Sequence, residues 1–173
     1  MTTTTAWSRR LGLVALGLAT VLALAAPAQA CPQADHLYRQ GVYERYVEEL
    51  NRLALTGDVA CMTTLGKVLR DGVITPRKLS EAIVWYQKAA DAGDPVSQFE
   101  LASLYDNGFG LPKDPVQAAH WYEKSANQGY MMAIRNLAVM YDDGVGVPQD
   151  KARAKALYEQ AEEGGNGLDW LPK

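Results

Sequence analysis

Reactive side chains are scarce in this chain. Histidine, cysteine and phenylalanine each occur only twice in 173 residues. Zinc is held by four ligands, usually histidine or cysteine, so no metal is expected. Motif patterns of the G-x-S-x-G, Ser-x-x-Lys, H-E-x-x-H and G-x-x-x-x-G-K-[ST] kinds are absent, and with them go nucleophilic-serine, metallopeptidase and phosphate-loop chemistry. No cofactor is expected either. Basic charge is also short, with 17 Lys and Arg against 20 Asp and Glu, a net charge of −3. Nucleic-acid binders carry a basic stripe, and that class is not favoured. Past residue 30 no long apolar run remains to cross a bilayer.

The first 30 residues differ from the rest. Arg9 and Arg10 are their only charges, Leu11 to Ala26 is uncharged and rich in Leu, Ala and Val, and Ala28-Gln29-Ala30 supplies an A-x-A pattern. This reads as a cleaved export signal, 1–30, the alternative being an uncleaved anchor. Cleavage after Ala30 would leave one domain, 31–173, starting at Cys31. Without Arg9 and Arg10 it holds 15 basic and 20 acidic side chains, a charge of −5. Its length suits one continuous core.

Within that domain a 36-residue period dominates. Residues 95–130 laid over 131–166 share 12 identities, among them Tyr105/Tyr141, Gly108/Gly144, Gly110/Gly146, Asp114/Asp150 and Tyr122/Tyr158. Laid over 59–94 they share 9, among them Leu65, Gly72, Trp85, Tyr86 and Gly93. Composition alone would give about two, so this is a repeat architecture. Each copy reads as two helices around a Gly-Pro break. Asp94-Pro95 and Asp114-Pro115 are helix starts, and Asn107-Gly108 is a helix end. Residues 34–57 form a shortened first hairpin, with Gly41 as its break, and 59–94, 95–130 and 131–166 follow. In 59–94 Leu69, Ile74 and Lys78 replace the tyrosine, glycine and aspartate of the pattern, so its second helix is expected from Thr75-Pro76 or from Ser80. Trp170 and Leu171, in the tail 167–173, are expected to fold back over the last hairpin.

The pattern L-A-x-x-Y-x-x-G-x-G-x-x-x-D-x-x-x-A-x-x-W-Y resembles the Sel1-like repeat, a relative of the tetratricopeptide repeat. The resemblance implies an all-α solenoid of stacked antiparallel helix pairs in a right-handed superhelix. It also implies that the first helix of each pair lines a concave face whose variable positions meet ligands. Those positions are Thr63, Thr64, Lys67 and Arg70; Phe99, Glu100 and Ser103; and Met132, Arg135, Asn136 and Val139. Their mixture of apolar groups, cations, amides and hydroxyls suits a peptide groove.

Competing assignments stay open for several residues. Cys31 and Cys61 are both exported on this reading, which favours a disulfide; the alternative makes Cys31 the lipidated first residue of a lipoprotein. His120 precedes core Trp121 and is read as surface, and His36 lies in the first helix without a metal motif beside it. Asp142-Asp143 repeats the position of Asp106-Asn107 and reads as helix-end polarity. The periodic Trp and Tyr residues read as core. The function expected is a non-enzymatic, monomeric interaction module, periplasmic or secreted, with a protein or peptide partner. A cell-wall or β-lactam hydrolase and a secreted effector or adhesin binding a host protein are the alternatives.

Overall fold

A computed structural model describes residues 31–164. Residues 1–30, with the expected export signal, and the expected fold-back of Trp170 and Leu171 lie outside the described residues. Within them are eight helices: α1 (Pro32–Arg39), α2 (Tyr43–Leu55), α3 (Val59–Asp71), α4 (Leu79–Asp91), α5 (Pro95–Asn107), α6 (Pro115–Ala126), α7 (Met131–Asp143) and α8 (Lys151–Gly164). Each packs mainly on its neighbours in sequence, so four hairpins stack in order. No strand occurs among the described residues, and none of their helices is long and apolar enough to cross a membrane.

The period is written into the backbone. Gly72, Gly108 and Gly144 end α3, α5 and α7 with φ of 67, 68 and 69°, a left-handed conformation that glycine adopts without a Cβ penalty. Each following loop closes with one shared hydrogen bond. The amides of Lys78, Asp114 and Asp150 donate to the carbonyls of Leu69, Tyr105 and Tyr141 at 2.9, 2.9 and 2.8 Å. That bond explains a departure from expectation. α4 starts at Leu79, with Lys78 as its N-cap residue, because the loop geometry is closed by backbone and survives loss of the aspartate. Where aspartate is present it caps: Asp94 accepts from Ser97 N, Asp114 from Val116 N and Gln117 N, and Asp150 from Arg153 N.

Small residues at the helix contacts admit the aromatics. Tyr86 and Tyr122 are buried, and Gly66 receives the Tyr86 ring so closely that a Cβ there would lie 2.8 Å from it. Trp85 and Trp121 are buried too, each with a lysine ammonium over its ring, Lys88 at 4.2 Å and Lys124 at 4.1 Å. The single core expected from length resolves into two clusters that interlock at α4 and α5. Leu104 of α5 belongs to the N-terminal cluster, and Ala90 of α4 to the C-terminal one. A disulfide joins Cys31, ahead of α1, to Cys61 in the first turn of α3, with Cα atoms 4.7 Å apart.

Candidate functional site

The 36-residue register places matched positions on the first helices α3, α5 and α7. Three rows result: Thr63, Phe99 and Arg135; Thr64, Glu100 and Asn136; Lys67, Ser103 and Val139. A fourth row, Arg70, Asp106 and Asp142, sits in the last turns of the same helices.

Between the first two full repeats the row is closed by charge. Arg70 pairs with Glu100 of the next repeat through Nη1, and its Nε donates to Asp71 Oδ1 at 2.8 Å. Burial works against the guanidinium, but these bonds to Asp71 and Glu100 hold its pKa above the ordinary range. Burial also lowers Lys67, against the pull of Glu100. Beneath them Tyr86 carries the one buried side-chain polar atom without a hydrogen-bond partner among the described residues, its hydroxyl. The Arg70 guanidinium lies 6.0 Å from that ring's centroid.

One repeat on, the same place holds no cation and is open. Tyr122 replaces Tyr86, and its hydroxyl accepts from Asn136 Nδ2 at 2.9 Å. Burial raises its pKa, while the bonds with Asn136 and Ser103 oppose the rise. A cleft of about 380 Å³ opens here between the C-terminal ends of α5 and α7. Tyr122, Val139, Met140 and Val145 supply its apolar wall, and Asp106 and Asp143 its carboxylates. No group of three potential metal ligands occurs among the described residues.

Beside the cleft, Phe99 lies with its ring centroid 5.7 Å from Tyr122 and 5.2 Å from Tyr130. Arg135 is exposed, as are Met132 at 48 % and Val139 at 46 %. One expectation is corrected. Thr63 lines no groove: it is fully buried, with Oγ1 3.0 Å from both the Val59 carbonyl and the Asp94 carboxylate and 2.8 Å from Ser97 Oγ. Phe99 is only partly exposed and is shared between this face and the core. The cleft itself escaped sequence reasoning, because its walls come from three helices and a turn. The signal available was the switch from Arg70 to Asp106 and Asp142 at one repeat position.

Stacked helix pairs with a periodic aromatic core define a helical-repeat scaffold. The chain belongs to the Sel1 repeat family, whose model matches residues 59–94, 95–130 and 132–166. Among solved structures it is similar to c5321, a protective antigen of uropathogenic Escherichia coli with an SLR fold, at 36 % identity and a TM-score of 0.67. That match covers 69 % of this chain but only 26 % of the antigen, so the chain spans about a quarter of its length. A Sel1 repeat protein from Oxalobacter formigenes is 34 % identical with a TM-score of 0.66, over 71 % of this chain and 92 % of the other. Helicobacter pylori cysteine rich protein B shares the fold at 17 % identity and a TM-score of 0.57, over 71 % and 88 % of the two chains. The comparison with curated proteins finds no match. Sel1 repeats are generally protein-interaction modules, and the family is typically a non-catalytic scaffold.

Proposed function

We propose that this protein is an exported, non-enzymatic interaction module that binds a peptide segment of a protein partner along α5 and α7. One observation carries the reading. Exposed Met132, Arg135 and Val139 run beside a 380 Å³ cleft with an apolar wall and polar rim. Apolar anchors beside planar donors are the usual makings of a binding hot spot. Lys67 and Arg70 on α3 and Glu100 on α5 extend the face, with Arg70 paired to Glu100 and to Asp71.

The disulfide supports an oxidising compartment, periplasmic or extracellular. A thiol consumed in that bond carries no lipid, so the Cys31 lipoprotein reading is set aside. The test uses a photo-crosslinking amino acid at one position at a time. Met132 and Val139 should give adducts with the partner in envelope extract, whereas Val84 and Val116, exposed on the second helices α4 and α6, should not. Adducts confined to Val84 and Val116 would move the site to the opposite helices.

A further inference from the structure

We infer that the cleft between the second and third full repeats takes an arginine side chain of the peptide partner; this rests on the peptide-binding reading above. The repeat supplies its own template. At the preceding junction the chain fills the corresponding place with Arg70, which lies by the ring of Tyr86 and pairs with Glu100 and Asp71. Shifted by 36 residues, Tyr86 becomes Tyr122, Glu100 becomes Asn136, Asp71 becomes Asn107, and Arg70 becomes Asp106. The internal guanidinium is gone, and all four successors line the open cleft.

Its electrostatics are those of a site lacking a cation. α5 and α7 both end at the cleft, and neither has a basic side chain in its last turn, whereas α3 has Arg70 there. A helix C-terminus carries partial negative charge, which favours a cation and disfavours a carboxylate. Here Asp106 and Asp143 add two carboxylates, and no ion pair engages either among the described residues. An arginine stem would lie against Val139, Met140 and the Tyr122 ring, burying its methylenes. Its planar donors would meet Asp106, Asp143 and the Asn136 amide oxygen, whose own NH₂ is committed to Tyr122. Aspartate at two helix ends makes sense when an outside guanidinium completes the pair.

The test is a methyl-NMR titration of the disulfide-intact protein with acetyl-arginine methylamide, acetyl-lysine methylamide and uncharged acetyl-citrulline methylamide. The methyls of Val139, Met140 and Val145 should shift with the arginine probe while Val73, on the α3–α4 loop, stays still. Citrulline should bind at least tenfold more weakly. Asp106→Asn with Asp143→Asn should weaken arginine at least tenfold, and Asp106→Arg should abolish its shifts by filling the cleft from within. Thermal melts of the variants confirm folding. Val139, Met140 and Val145 unmoved by arginine, or moved equally by citrulline, would overturn the inference. Lysine binding as tightly as arginine would overturn the guanidinium assignment. The two readings fail separately: partner adducts at Met132 without an arginine response leave the peptide face and remove this site. An arginine response without adducts removes the peptide face.

Discussion

Tyr86 and Tyr122 stand one period apart and keep different company. Tyr122 gains a hydrogen bond from Asn136, whereas the Tyr86 hydroxyl has no partner because Glu100, at the Asn136 position, is turned to Arg70. A buried hydroxyl left unsatisfied is costly, and a satisfied one contributes about 1 kcal/mol. Tyr86→Phe should therefore leave stability unchanged or raise it by up to about 1 kcal/mol, and Tyr122→Phe should lower it by about 1 kcal/mol. Chemical denaturation of the two variants checks the contrast. Asp106→Asn removes a carboxylate from a helix C-terminus and should stabilise by about 0.3–1 kcal/mol. A loss there would mean that Asp106 has a supporting partner. These features were half legible in the sequence. Alignment of the copies exposed every substitution, but a residue's exposure depends on the neighbouring repeat. Thr63 and Phe99 occupy one repeat position, yet the first is buried under Asp94 and Ser97 and the second is not.

The tyrosines also set the alkaline limit. Burial, with smaller contributions from Asp35 and Tyr38, pushes Tyr46 up to about 12, and burial moves Tyr86 and Tyr122 the same way. An unfolded tyrosine titrates near pH 10. Above that pH the folded state holds more protons than the unfolded one, so stability falls as pH rises. The tyrosine contribution should be complete below about pH 10 and lost progressively between about 10 and 12. Unfolding free energies measured from pH 8 to 11.5 check this, and a flat profile across that range would count against buried, protonated tyrosines.

At the scale of helices and turns, the repeat holds because its breaks are as constrained as its core. Gly146 shows this well. Its φ is +74°, and a Cβ there would lie 2.1 Å from the Pro115 carbonyl oxygen of the preceding repeat. Gly129, with φ +81°, has nothing within 4 Å of the same atom. Gly129→Ala should thus cost only the left-handed strain, about 1–2 kcal/mol. Gly146→Ala adds a backbone collision and should cost roughly 3 kcal/mol or more. Equal melting shifts would contradict the close approach of the α7–α8 loop to α6. The glycine pairs were plain in the sequence as turn signals. What they also do, admitting one repeat's turn against the preceding repeat's helix, depends on stacking and could not be read from spacing. The start of α4 is a similar case: Thr75-Pro76 and Ser80 were reasonable local signals, but the loop-closing bond from Lys78 N to the Leu69 carbonyl decided it.

Seen whole, the molecule is a one-dimensional stack, and its stability should be unevenly spread along the axis. Repeats in such a stack contact only their neighbours, so an end hairpin is held from one side. α1 has eight residues, and no side chain caps α1 or α2. The disulfide from Cys31 to Cys61 compensates by tying the outermost chain to α3 across a separation of 30 residues. Closing a loop of that size is worth about 3–4 kcal/mol in the chain-entropy picture. Reduction should therefore act locally before it acts globally. Amide hydrogen exchange in 32–55 should accelerate sharply after reduction, since those helices lose their tether and rest on one interface. Exchange in 131–143 should change little, because α7 is packed between α6 and α8 in the other core cluster. The peptide face proposed on α5 and α7 would then keep its binding in reduced protein. Uniform acceleration along the chain would instead show one cooperative unit spanning both clusters, with the disulfide guarding the proposed peptide face from a distance.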